Sequence, residues 1–558
     1  MKHMKKIVSV LLTMVMVFAM TAVASAATVT VPSDGILKDH TFTAYQVFSG
    51  REEDGVLSDV KWGSGIDSNK FLAALKADTT YGSFFNACTD AAAVAKVLGD
   101  NNTNTALANA VAKLAYANKT GSGTALTSGE NELADGYYLV VDTTENVAAG
   151  SAYNTALLQV VGNINITVKT DAPTVEKKVL EDDKYNQDGG YGQGYNDVAD
   201  YNMGDTVSFH LIGSVPDMSR YDTYKYIFHD TLSAGLTLNE DSIKVYVASD
   251  KKETDKQEIP TGWTKAVNGQ SFTVSFADLK TAIANENENE NENDAKYIIV
   301  EYTATLNQNA VVGLDGNPNT VYLEYSNKPD QSGSGDNNTG NTPEDKVIVF
   351  TYELDTTKIS GSEYTKAPEG TDTAHVDEDG YLLDDDGNRI PLKLEGAEFK
   401  LHNASGKWAI VNNDGKVTGW ADTEANGSTL TSDANGLFKV IGLDDGTYYL
   451  KETKAPTGYN LLSSEITVVI TATTTNGQTW TDGQASSALT GLAVTADNKA
   501  GTGDTSTGIA GITVANNKGN TLPETGGMGT TIFYVLGSIL VLGAAVLLIT
   551  RKRMGAQK

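Results

Sequence analysis

Lysine, a carboxylic acid and asparagine recur in this chain at positions from which they could form a bond with one another. Lys358 ends a run in which Ile348, Phe350, Tyr352, Leu354 and Thr356 alternate. On a strand such residues share one face, so the lysine points where the apolar side chains point. Glu452 shares a parity with Tyr448 and Leu450, and Asn516 with Ile512 and Val514; Asn498, after Leu492, Val494 and Ala496, is the alternative to Asn516. An earlier set repeats the pattern: Lys177 lies between Val175 and Val179, Asp230 follows Tyr226 and Phe228, and Asn327 follows Val321, Leu323 and Tyr325. Burial lowers the pKa of a lysine and raises that of a carboxyl. A neutral amine can then attack an asparagine carboxamide while the acid polarises it and ammonia leaves, which yields a Lys–Asn isopeptide bond. Lys177–Asn327 and Lys358–Asn516 are the expected crosslinks, with Asp230 and Glu452 as their catalytic acids. This chemistry needs no cofactor. The six His are scattered, no HExxH, GxSxG or P-loop occurs, and Cys88 is the lone cysteine, so no metal site and no conventional enzyme centre is expected.

The elements that must position these residues are strands of several domains. A chain of 558 residues allows about three or four domains. With 40% hydrophobic and 20% charged residues it is neither disordered nor polytopic. A net charge of -29 argues against a nucleic-acid partner, which needs clustered cations. Residues 1–26 read as a secretory signal peptide: basic Met1–Lys6, apolar Ile7–Val23, then Ala24-Ser25-Ala26. Strand patterns flank Ala-rich, helix-prone stretches at Asn69–Lys76 and Ala91–Ala117, giving an N-terminal domain with a helical insertion over 27–169. Residues 173–329 form a strand-rich middle domain with a charged loop at Asn285–Asp294, and 330–345 a linker. Over 346–518, Asp379-Gly380, Asp386-Gly387 and Asn435-Gly436 turns punctuate an antiparallel sandwich. The fold class expected is mainly β, with tandem immunoglobulin-like sandwiches. An apolar run over 531–550, followed by Arg551-Lys552-Arg553, is long enough to span a bilayer with its basic end inside.

Leu522, Pro523, Glu524, Thr525 and Gly526, placed before that span and basic tail within 522–558, resemble the cell-wall sorting signal of Gram-positive surface proteins. The resemblance implies that a sortase cuts between Thr525 and Gly526 and passes the Thr carbonyl to an amine. Tyr448-Tyr-Leu-Lys-Glu452-Thr-Lys-Ala-Pro-Thr-Gly458-Tyr459 resembles the E-box of pilins and collagen-adhesin B-type domains, and 173–329 resembles the middle domain of backbone pilins. Backbone pilins carry a nucleophilic lysine in a VxVYPK pattern; Lys169, in Ile164-Asn-Ile-Thr-Val-Lys169, keeps the alternation and the lysine but has Thr167-Val168 in place of Tyr-Pro. The family so suggested is that of the sortase-assembled major pilins. It implies a covalent, wall-anchored surface pilus whose partners are pilus-type and housekeeping sortases, identical subunits and peptidoglycan, with accessory pilins and host surface ligands beyond them. The alternative reading is a monomeric wall-anchored adhesin or pilus tip built from the same domains.

Overall fold

The computed structural model describes residues 28–519, apart from 36, 54–55, 161–163, 168–170, 182–193, 285–294, 331–337, 476–479 and 481–482, together with the helix Met528–Gly555. The signal peptide, the Asn285–Asp294 loop, Lys169 and the segment Leu522–Gly526 lie outside the described residues.

In the N-terminal part, Phe42–Glu53 pairs with Val56–Trp62, Thr124–Leu126 and Gly136–Asp142, and the last of these with Leu157–Val160. The helical insertion breaks where its sequence supplies caps. Asp67, Asp90 and Asn104 accept backbone N–H groups at the starts of Ser68–Ala77, Ala91–Asp100 and Thr105–Ala117. Phe71, Leu75, Val94, Leu107 and Val111 seal these helices onto Val47, Leu139 and Val141 of the sheet.

The middle part is a sandwich of two sheets. One contains Val175–Leu180 between Tyr195–Asn196 and Thr206–Ser214, followed by Tyr297–Leu306 and Lys244–Ala248. The other orders Val198–Asp200, Asp345–Phe350, Asn317–Ser326, Tyr226–Leu232 and Ser271–Phe276. Alternating residues from both inner faces, among them Phe209, Phe228, Val300, Leu323 and Tyr325, fill the space between. The strand Asp345–Phe350 corrects the boundary expected at Lys346: it pairs antiparallel with Asn317–Ser326 and parallel with Val198–Asp200, so it belongs to the middle sandwich. The stretch expected as linker also contributes Thr339–Asn341, which pairs with the end of Asn317–Ser326.

The third part begins at Tyr352. The long strand Tyr352–Tyr364 lies between Leu437–Leu443 and Ile509–Asn516, its first strand thus pairing in parallel with its last. A facing sheet carries Glu398–Asn403, Gly446–Lys454, Ile466–Thr474 and Leu489–Ala496 side by side. Gly380, Gly387 and Gly436 all have positive φ, which is what the Asp-Gly and Asn-Gly turns require. At Asp384 the carboxylate accepts the N–H groups of Asp386 and Asn388, the arrangement of a side-chain-closed turn. The C-terminal helix Met528–Gly555 contains the apolar stretch Phe533–Lys552, long enough to cross a membrane.

Candidate functional site

Two clusters of lysine, acid and carboxamide are buried in the two sandwiches. In the third part the parallel register sets Lys358 opposite Val514 and Ser360 opposite Asn516. Lys358 and Asn516 therefore sit on neighbouring strands two register positions apart, on the same face and both buried. Glu452 enters from the facing sheet, where it pairs with Phe399. Lys358 Nζ contacts Asn516 Oδ1 and lies 3.4 Å from Glu452 Oε1. Asn516 Nδ2 donates to both Glu452 oxygens at 2.9 Å and to the Asn460 carbonyl at 2.8 Å. The Leu462 N–H holds Glu452 Oε2 at 2.8 Å. Burial against Phe399 pushes the Lys358 amine down to about 8, with Glu452 pulling the other way. Amine, carboxamide and carboxyl are thus in mutual contact, with the acid bonded to the nitrogen that an amide exchange would expel. Asn498 is elsewhere, exposed at the tip of a tight hairpin where Asp497 and Asn498 both have positive φ.

In the middle sandwich Lys177 and Asp230 are fully buried and in contact. Tyr302, from the strand Tyr297–Leu306, bridges them: its hydroxyl lies 2.9 Å from Lys177 Nζ and 3.2 Å from each Asp230 oxygen. Burial drives both members of the pair toward neutrality. It lowers Lys177 to about 8 against the pull of Asp230, and it raises Asp230 against the pull of Lys177.

The carboxamide beside this pair is that of Asn319, which corrects the expectation at Asn327. Asn319 Nδ2 donates to Tyr302 Oη at 2.7 Å, while its buried Oδ1 has no hydrogen-bond partner. Asp230 pairs with Val321 and Leu232 with Asn319, so the carboxamide enters from the neighbouring strand. Asn327 has the same parity but follows the other end of that strand, roughly 25 Å along it, where its side chain lies against Gly340 and its N–H donates to Asn338. Tyr302 was not singled out from sequence, although its alternation with Ile298, Val300 and Ala304 places it inward.

Two groups among the described residues bring possible ligand atoms within 4.8 Å of one another: His210 with Glu253 and Glu301, and Asp200 with Asp444 and Asp445. In the first, Lys256 already supplies positive charge, touching Glu301 and lying 3.0 Å from Glu253. In the second, Tyr352 Oη donates to Asp200 and the Ala472 N–H to Asp445.

Three family models match the chain: a Gram-positive pilin backbone subunit 2, Cna-B-like domain over 203–329, a prealbumin-like fold domain over 384–484, and an LPXTG cell wall anchor motif over 514–554. The trypsin-resistant surface T6 protein of Streptococcus pyogenes serotype M6 is 26% identical over 385 residues, covering 63% of this chain and 65% of that protein. The match thus spans less than two thirds of the relative's length. The solved T6 backbone pilin of serotype M6 S. pyogenes shares the fold at TM-score 0.50, with 17% identity over 89% of this chain and all of that one. The group B streptococcus pilus 2b backbone protein is 25% identical over 57% of this chain and 95% of its own, at TM-score 0.38. The LPXTG anchor motif and apolar C-terminal helix make this chain a cell-wall-anchored surface protein, and its middle region matches the backbone-subunit domain of Gram-positive pilins.

Proposed function

We propose that this chain is the major, shaft-forming subunit of a covalent surface pilus. A sortase cleaves between Thr525 and Gly526 and transfers the Thr525 carbonyl to a lysine of the next subunit, for which Lys169 is the candidate. Repetition gives a head-to-tail filament of identical subunits, which a housekeeping sortase finally joins to peptidoglycan. Within each subunit, Lys358 bonds to Asn516 with Glu452 as acid, and Lys177 to Asn319 with Asp230 as acid. In each reaction the neutral Nζ attacks the carboxamide Cγ, the acid delivers the proton with which Nδ2 leaves as ammonia when the Cγ–Nδ2 bond breaks, and the proton that Nζ gives up returns to the acid.

The observation that carries this reading is the placing of Lys358 and Asn516 on adjoining parallel strands, the first and last of the sandwich next to the anchor. Tension entering from Thr525 reaches Asn516 first, and a bond there passes it to Lys358 without loading the sheets between. A binding protein has no need of such a path, whereas a load-bearing shaft does.

The test is a wall extract boiled in SDS from cells that hold a pilus-type sortase. The wild-type chain gives a ladder of covalent multimers. Lys169→Ala abolishes the ladder but leaves the single subunit anchored, and deletion of Leu522 to Gly526 removes both. A ladder that persists in Lys169→Ala transfers the role to another lysine, and a wild-type chain with no ladder is the monomeric adhesin.

A further inference from the structure

The strand that carries Lys177 buries a second lysine. Neighbouring strand residues face opposite sides, and Lys178, on the other face and opposite His210, is only 4% exposed. What covers it is Asp197, the residue at which the chain crosses from Tyr195–Asn196 in one sheet to Val198–Asp200 in the other. Lys178 Nζ lies 2.5 Å from Asp197 Oδ1, and each side chain is 5% exposed. The other oxygen, Asp197 Oδ2, accepts the backbone N–H of Trp480 at 3.2 Å. Trp480 comes from the third part of the chain and is itself buried, with Lys346 Nζ 5.6 Å from its ring centre.

A second carboxyl acts on this pair. Asp345 accepts the Lys177 N–H at 2.6 Å and interacts electrostatically with both Lys178 and Asp197. Burial raises Asp197 strongly enough to outweigh the attraction of Lys178, and Asp345 adds to the rise. Burial likewise raises Asp345. The charge of Asp345 thus favours the protonated form of a carboxyl already in contact with an amine.

We propose that Lys178 and Asp197 form a third covalent crosslink, a Lys–Asp amide made with loss of water. The proton of the ion pair first passes from Nζ to Asp197 Oδ1, which leaves a neutral amine and a carboxylic acid. Nζ then attacks Cγ, and the Trp480 N–H stabilises the charge that develops on Oδ2. A second proton moves from the nitrogen to Oδ1 within the same adduct, and the Cγ–Oδ1 bond breaks to release water. The driving force is electrostatic as well as chemical. Two charges held out of water are costly even when paired, and condensation replaces both with one neutral amide. Proximity in a closed site supplies the rest of the rate. Because Trp480 completes the site, the bond forms once the third part has docked on the middle sandwich.

None of these residues belongs to the two asparagine sites, so the proposal stands apart from the function proposed above. The test is peptide mapping of the full-length chain, denatured and digested with trypsin and with a Glu-specific protease. We expect one peptide pair joined through Lys178 and Asp197, about 18 Da lighter than the sum of its parts, whereas ammonia-releasing bonds are about 17 Da lighter. Lys178→Met abolishes that pair alone. Asp345→Asn leaves a mixture of joined and unjoined peptides. The decisive measurement on the wild type is amine labelling after denaturation: a Lys178 that takes up the label and is cut by trypsin overturns the crosslink and leaves an ion pair, whatever the asparagine sites do.

Discussion

Lys177 and Asp230 together hold one proton at neutral pH. Burial brings the amine down to about 8 and lifts the carboxyl, so the charged pair and its neutral tautomer carry the same number of protons. Bond formation uses the neutral tautomer. Its rate should be flat through neutral pH and fall above about pH 8, where the pair loses the shared proton and the acid can no longer protonate the leaving nitrogen. An isolated amine would instead react about tenfold faster per pH unit until it had lost its proton. Chain recovered unreacted from inclusion bodies, refolded across pH and followed by intact mass, separates the two; a steady rise beyond pH 8 contradicts the shared proton. Identity of the carboxamide is a second residue-scale test. Asn319→Ala should cancel one ammonia loss of about 17 Da, and Asn327→Ala none; the reverse result would restore Asn327. Parity alone could not choose between them. Asn319, Val321, Leu323, Tyr325 and Asn327 all face one way, and only the pairing of Asp230 with Val321 shows which end lies over Lys177. Tyr302 was hidden for a related reason, since a tyrosine in an inward set reads as core until its hydroxyl is seen between an amine and an acid.

At the scale of elements, the strand Tyr352–Tyr364 is held in place by a turn. The Lys358 N–H donates to the Gly436 carbonyl at 2.6 Å, and a Cβ on Gly436 would stand 2.3 Å from the Lys358 carbonyl oxygen. Gly436 also has φ +73°. Gly436→Ala should therefore push this strand away from Asn516, costing about 2–3 kcal/mol and leaving the Lys358–Asn516 bond incompletely formed by mass. Gly380→Ala, at φ +78° with open space around it, isolates the backbone cost of about 1 kcal/mol. Equal melting temperatures for the two variants would refute the steric argument. Removing the bond itself with Lys358→Ala opens a loop of 158 residues, which on chain-entropy grounds lowers stability by roughly 4–5 kcal/mol; calorimetry would register this as a markedly lower Tm. Much at this scale is legible beforehand. The Asp-Gly and Asn-Gly turns fall where φ is positive, and the helices of the insertion start at Asp67, Asp90 and Asn104. The start of the third part was not, because Ile348 to Lys358 alternates without a turn residue. The chain changes sandwich at Thr351, a buried residue whose hydroxyl donates to the Leu443 carbonyl, and only pairing assigns Asp345–Phe350 to the middle sheet.

For the whole molecule, the two proposed Lys–Asn bonds shorten the path that a pull must follow. A force applied between the N-terminal part and the anchor crosses from Lys177 to Asn319, runs along the backbone through Phe350 and Tyr352 to Lys358, crosses to Asn516 and leaves toward Thr525. Only about 50 residues of that path can extend, roughly 170 Å at full stretch, against more than roughly 1,000 Å for the uncrosslinked backbone over the same interval. The bulk of both sandwiches is bypassed, so resistance to extension ceases to depend on folding stability. The N-terminal part has neither bond in this scheme and serves as an internal reference. Single chains held at their ends should show one unfolding length from that part in every variant. Lys358→Ala should add a step of about 55 nm from the 158 residues between Lys358 and Asn516, and Asn319→Ala one of roughly 43 nm, because the proposed Lys178–Asp197 crosslink keeps the residues between them from extending. Both steps in the wild-type chain would mean that neither bond carries load. Only the N-terminal step in Lys358→Ala would mean that the third sandwich resists force through its parallel strand pair alone.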